Sequence, residues 1–219
     1  MHINADFTRP ARLLPDEQCW VPSPQSGITR VMLDRVGEEK ARATSRVRYQ
    51  AGSRFPAHDH PGGEEILVLS GTFSDESGDY PAGWYLRHPP GSRHAPFSRD
   101  GTEIFVKLWQ MSTGERDVVR VDTRDPARWH ETSQGRDCLL HDSEDERVRL
   151  CVLCPGSVMA TRPGWHHELL VLSGEMTVAG DALPAGSWLR LPPGQDILRA
   201  DGAQGATVYL KQSRRLISP

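Results

Sequence analysis

Apolar positions in this chain come in short runs that alternate with polar ones, and the runs are bounded by Gly, Pro, Asp and Ser. RVRYQAGSRF, EILVLSGTF, WYLRHPPG and EIFVKLWQ are examples. That period and that punctuation predict short β-strands joined by turns. The 17 prolines and 20 glycines are scattered between the runs, which argues against helices. The pattern therefore predicts an all-β chain.

The pattern also repeats. Residues 65–91, EILVLSGTFSDESGDYPAGWYLRHPPG, align without a gap to residues 168–194, ELLVLSGEMTVAGDALPAGSWLRLPPG. The match holds at Gly71 and Gly174, at the two Pro-Ala-Gly turns and at the two Pro-Pro-Gly turns. Upstream, TSRVRYQAGSRFPA resembles DERVRLCVLCPGSVMA, and downstream EIFVKLWQ and TVYLKQ read as closing strands. Two copies of one domain follow, each an antiparallel sandwich or small barrel. We expect an arm over 1–17, a first domain over 18–112, a linker over 113–128 that includes the strand DVVRV, and a second domain over 129–219.

Composition narrows the functional classes. The chain has 219 residues and a formal charge of −3, so no basic surface argues for nucleic acid. The N-terminus lacks a signal-peptide core and no run of 18 apolar residues occurs, so the expectation is a cytoplasmic protein with no membrane partner. Cys19, Cys138, Cys151 and Cys154 are too few for a disulfide framework and read as thiols.

Candidate chemistry is concentrated in HDHPGGEEILVLSG, residues 58–71. On a strand, His58 and His60 project to one face while Asp59 projects to the other. Pro61-Gly62-Gly63 allows a bend that returns Glu64 at the start of the next strand, and His94 follows a later Pro-Pro-Gly turn. Four nitrogen and oxygen donors from two hairpins suit a divalent transition metal. Glu65 and Asp59 should point out of the barrel, which leaves no separate general base in evidence. His88, whose counterpart is Leu191, reads as structural. Trp84 and Trp109 flank strands of the first copy and are candidates to line a pocket.

These residues carry a resemblance. Gly52, His58-Asp59-His60, Glu64 and Gly71 are spaced like the first motif of the cupin superfamily, and Gly83, Pro89-Pro90-Gly91 and His94 like the second, with Ser98 where that motif often ends in Asn. The resemblance implies a tandem cupin, or bicupin, of two antiparallel jelly-roll barrels, and a metal held by His58, His60, Glu64 and His94. Residues 18–112 further resemble the cupin domain of ChrR-type anti-sigma factors. That implies a sensory or regulatory protein of transcription in the stress response, with one divalent metal, zinc first and iron, manganese or nickel as alternatives. A sigma factor or other regulatory protein is the implied partner. The N-terminal His-x3-Cys-x2-Cys zinc segment that grips sigma factors in such proteins is absent from this sequence, however. A small-molecule ligand in the first barrel and a homodimer through barrel edges are further expectations. The alternatives are a mononuclear iron dioxygenase acting on a small diketone-like or aromatic substrate, and a zinc-stabilised binding protein for a small acid.

In the second copy His58 falls on Thr161, His60 on Pro163, Glu64 on His167 and His94 on Ile197, so this barrel is expected to be degenerate and to lack the site. Adjacent His166 and His167 should face opposite ways. Cys151 and Cys154, three apart on an apparent strand, read as core cysteines in place of a redox pair.

Overall fold

The computed structural model of the chain describes residues 1–38, 40–159, 162–194, 198–200 and 202–214. The first eighteen residues contain β1 (His2–Ile3), β2 (Ala11–Leu13) and a single 3-10 turn. The first repeat follows as β3 (Val21–Pro22), β4 (Ile28–Gly37), β5 (Ala41–Tyr49), β6 (His58–His60), β7 (Glu64–Asp75), β8 (Gly78–Pro81), β9 (Trp84–His88), β10 (Ser92–His94) and β11 (Thr102–Leu108). The connection carries β12 (Val119–Asp122). The second repeat contains β13 (Trp129–Thr132), β14 (Gly135–Asp142), β15 (Glu146–Leu153), β16 (Val158–Met159), β17 (His166–Val178), β18 (Asp181–Pro184), β19 (Trp188–Leu191), β20 (Leu198–Arg199) and β21 (Ala206–Ser213). No α-helix occurs among the described residues, and no helix is long and apolar enough to cross a membrane.

Two compact units result. The main sheet of the first runs β1-β4-β5-β11-β7-β9-β12, and that of the second runs β13-β14-β15-β21-β17-β19-β2. The orders correspond strand for strand, as two copies of one barrel should. The last strand of each sheet comes from outside its repeat. The connection supplies β12 to β9 in the first unit, and the N-terminal segment supplies β2 to β19 in the second. The same two segments cap a buried arginine at equivalent positions of the repeat. Glu115 grips Arg87 through two hydrogen bonds of 2.8 and 2.9 Å, while Asp6 offers its carbonyl to Arg190 and Phe7 lies against the guanidinium. Both arginines are about 1% exposed, so each of these contacts offsets part of the cost of burying a charge.

Alternation builds each core. In the first unit Ile28, Tyr49, Ile66, Val68, Phe73, Tyr80, Leu86, Ile104 and Val106 pack inward from strands of opposite sides; in the second, Leu169, Val171, Met176, Leu189 and Val208 belong to the matching cluster. The long strand of each copy, β7 or β17, passes from one sheet into the other at the LSG tripeptide. Gly71 has φ +67° and Gly174 +74°, and a Cβ at either would lie 2.0 Å from a carbonyl oxygen, that of Gly101 or Gly205. Gly71→Ala therefore combines left-handed strain with a backbone clash. Its expected cost is about 2 to 4 kcal/mol of unfolding free energy in urea denaturation.

Candidate metal centre

The site begins with a two-stranded pairing. β6 and β10 run antiparallel with His58 opposite His94, Asp59 opposite Arg93 and His60 opposite Ser92. Strand alternation then separates two chemistries. Asp59 and Arg93 form an exposed ion pair at 2.9 Å on the outer face, and the three histidines converge on the inner one. The imidazole centroids lie 5.0 Å apart for His58 with His60, 5.0 Å for His58 with His94, and 4.6 Å for His60 with His94, all edge-on.

Glu64 arrives as the first residue of β7, after the Pro-Gly-Gly turn. The Gly63 N–H donates to the His60 carbonyl at 3.2 Å, and the Trp109 N–H to the Gly63 carbonyl at 3.1 Å. A Cβ on Gly62 would sit 2.7 Å from the Trp109 Cα, so the turn rests against backbone that a side chain would displace. The second Pro-Pro-Gly turn is tied to the same place, since the Gly91 N–H also donates to the His60 carbonyl, at 2.9 Å.

Glu64 Oε2 thereby lies 3.4 Å from His60 Nε2 and 3.2 Å from His94 Nε2. Neither contact has hydrogen-bond geometry, and both Nε2 atoms are buried without a hydrogen bond. Buried polar atoms seldom go unpaired, so orphaned nitrogens aimed at one carboxylate point to a missing partner. One donor atom from each of His58, His60, Glu64 and His94 lies within 4.8 Å of every other. Donors about 2.1 Å from a shared ion stand roughly 3 to 4 Å apart, so the set can hold a divalent metal with modest contraction.

The opposite ring nitrogens of His58 and His60 are hydrogen-bonded, and that of His94 faces a carboxylate without hydrogen-bond geometry. His58 Nδ1 meets the Pro56 carbonyl at 2.9 Å, His60 Nδ1 meets Ser92 Oγ at 3.0 Å, and His94 Nδ1 faces Asp75 Oδ2 at 3.4 Å. Partners of this kind fix ring orientation and leave Nε2 for a ligand. Burial alone would lower His94, but the carboxylates of Asp75 and Glu64 override it and raise the imidazole to about 9. Burial pushes His60 the other way, down to about 4, against the pull of Glu64. Burial would likewise raise Glu64, yet the hydrogen bond with His88 and the charges of His94 and His60 hold it well below the usual carboxylate range.

Two neighbours escaped the sequence reading. His88, taken there as structural, is buried with Nδ1 3.4 Å from Glu64 Oε2 and stacks on His60 at 5.7 Å. Asp75 completes a second possible donor group with His88 and His94. The repeat held the missing signal. Asp75 aligns with Val178 and His88 with Leu191, so both positions lose polarity in the copy that also lacks the histidine pair. Glu65 does point out of the barrel, paired with Arg87 at 3.1 Å. Trp109 lines the cavity described below, whereas Trp84 packs against the core.

In the second unit, among the described residues, no comparable donor group forms. Thr161 and Ile197 lie outside the described residues. His167, the counterpart of Glu64, accepts a hydrogen bond from the Arg162 N–H at 2.8 Å, and burial lowers its pKa to about 4. Cys151 is a buried free thiol pushed up to about 12 by burial, and Cys154 is exposed and free.

A cavity of about 560 Å³ opens beside the donors, with His58, His60 and Glu64 in its wall. Its other lining residues come from the inward positions of β4, β5 and β11, among them Ile28, Val47, Tyr49, Ile104 and Val106. The volume is in the range of small-molecule sites.

Residues 9–112 match the family described as the ChrR Cupin-like domain. Bacterial pirin YhhW from Escherichia coli, solved in complex with nickel(II), superposes with a TM-score of 0.72 at 17% identity over 94% of this chain and 99% of that one. YlbA from E. coli gives 0.69 at 16% identity over 96% and 93%. A tryptophan-to-tyrosine variant of Bacillus subtilis oxalate decarboxylase gives 0.64 at 14% identity over 95% and 78%. No curated protein matches the sequence. Residues 9–112 thus carry a ChrR cupin-like domain, and the whole chain shares the two-barrel fold of these structures.

Joint replacement of His58 and His94 by Ala should abolish stoichiometric metal in the purified protein, and His167→Ala should leave metal content unchanged, both read by elemental analysis. Asp75→Asn should weaken metal affinity by about 10- to 100-fold, because the His94 ring loses its anionic support. Below a pH of about 9 an incoming metal must displace the His94 proton. Uptake near neutral pH should therefore release about one proton per metal, and affinity should fall as pH falls, read by titration calorimetry in buffers of different ionisation enthalpy.

Proposed function

We propose that this protein is a metal-dependent sensory bicupin, in which His58, His60, Glu64 and His94 hold one divalent metal, zinc, and the adjoining cavity admits a small molecule whose arrival is passed to a regulatory partner. The observation that carries this reading is the sharing of one wall. His58, His60 and Glu64 belong both to the donor set and to the 560 Å³ cavity, so a molecule entering it meets the metal directly. Three imidazoles and a carboxylate are ligands zinc accepts. The similarity of residues 9–112 to a ChrR cupin-like domain supports a regulatory output.

A bound divalent metal would supply a Lewis acid for an oxygen of the incoming molecule. The chain's own residues perform the other tasks. Pro56, Ser92 and Asp75 hold the three rings in place, the β5 and β11 side chains exclude water, and Tyr49 presents its ring to the same space. Residues 2–3 and 11–13 are taken up in the two sheets.

The second reading, a mononuclear iron dioxygenase, is favoured by the same cavity, because imidazole-rich sites with open positions also suit ferrous iron. Metal analysis of protein purified without a chelating column, followed by oxygen uptake on the iron-loaded form, separates the two. The sensory reading expects close to one zinc per chain and no oxygen consumption. Bound iron with oxygen uptake on a small diketone-like or aromatic substrate would replace it with the enzyme.

A further inference from the structure

The cavity wall opposite the donors is cationic. Alternation along β4 points Ile28 and Arg30 inward, and a bulge between Met32 and Asp34 shifts the register so that Arg35 lines the same space; Lys40 follows in the turn to β5. The acids that also line it are engaged elsewhere, Asp59 with Arg93 and Glu64 with the imidazoles. No acid among the described residues pairs with Arg30 or Lys40, and Arg30 Nε is buried without a hydrogen bond. Arg35 donates to the Glu38 carbonyl, while the Glu38 carboxylate pairs with the chain N-terminus. Burial, with the nearby Arg30 charge reinforcing it, lowers the pKa of Arg35. The exposed Glu38 carboxylate, shared with the chain N-terminus, is the acid that acts on Arg35, so two guanidiniums lie along a partly dry wall with little anionic compensation, an arrangement that costs free energy until an anion enters.

Sheet register places this wall relative to the donors. Arg35 pairs with Ala43, Ala43 with Leu108 and Leu108 with Glu64, which makes one row across β4, β5, β11 and β7. Three strand spacings of about 4.8 Å give roughly 14 Å along the curved wall. Between the two ends the lining is mostly apolar, with Val47, Phe55, Ile104, Val106 and Leu108 beside Ser45 and Tyr49.

We infer that the first barrel selects an amphipathic organic acid, its carboxylate held by Arg30 and Arg35 and its apolar body lying along β5 and β11 toward the metal centre. Arginine suits this task because its planar fork receives a carboxylate through two hydrogen bonds. A neutral molecule of the same shape would leave the two cations uncompensated. This deepens the reading of the barrel as a small-molecule receptor and rests on it, while the selection of an anion depends on the arginines and not on which metal is present.

The test uses the full-length metal-loaded protein and two acids, octanoate and 4-phenylbutyrate, each beside its neutral primary amide, with affinities from titration calorimetry. The acids should bind at least tenfold more tightly than the amides. Arg30→Gln and Arg35→Gln should each cut that preference severalfold, and Arg35→Lys should retain part of it, with metal content and amide affinity unchanged as evidence of an intact barrel. Equal binding of acids and amides, no binding of either acid at millimolar concentration, or an undiminished preference in both Gln variants would overturn the inference. Acid binding that persists after metal removal would sustain it while removing the metal-dependent reading above.

Discussion

A carboxylate sealed inside an apolar barrel is the constraint on which the first unit depends. Glu64 is 6% exposed, and an isolated ion at that depth would cost several kcal/mol. Its oxygen is instead surrounded by His60, His88 and His94, delivered by β6, β9 and β10. None of these strands can slip by one residue without turning its histidine to the outer face. The turns before Glu64 and His94 both anchor on the His60 carbonyl, so the backbone fixes the same convergence that the charges require. The cavity lies on the other side of the interior, toward β4, β5 and β11.

The second unit shows the same architecture relieved of that constraint. Val178 and Leu191 stand where Asp75 and His88 stand in the first, and His167 replaces the carboxylate with a neutral ring whose Nε2 accepts from one backbone N–H. Met176, Leu183 and Leu189 complete an apolar cluster there. Sheet order, the LSG crossing and the capped buried arginine survive in both copies, which assigns those features to folding. The histidine pair and its partners differ between copies, so the shared architecture does not require them.

Much of this was legible in the chain. A period of two in short runs identifies strands because alternate side chains face one side, and an ungapped repeat identifies two equivalent barrels because only equivalent contacts need the same turn residues in the same order. The HxH spacing placed His58 and His60 on one face for the same reason. Less legible was the fate of the segments outside the repeat: residues 1–17 and 113–128 read as arm and linker, yet β2 and β12 complete the two sheets. Such pairings are formed by backbone hydrogen bonds between distant segments, and backbone groups carry no residue-specific signal.

Sequence alone therefore determined the all-β class, the duplication, the four candidate donor positions and the different residues at those positions in the second copy, since each follows from local spacing and residue type. Tertiary structure decided what surrounds those donors. Asp75 and His88 join them, Trp109 and Met111 seat the turn, and Arg30 and Arg35 reach the same cavity from β4 past a bulge that no periodicity announces. These are contacts between residues far apart in the chain. Their proximity depends on how strands register and curve, and a one-residue bulge changes which side chains face the interior.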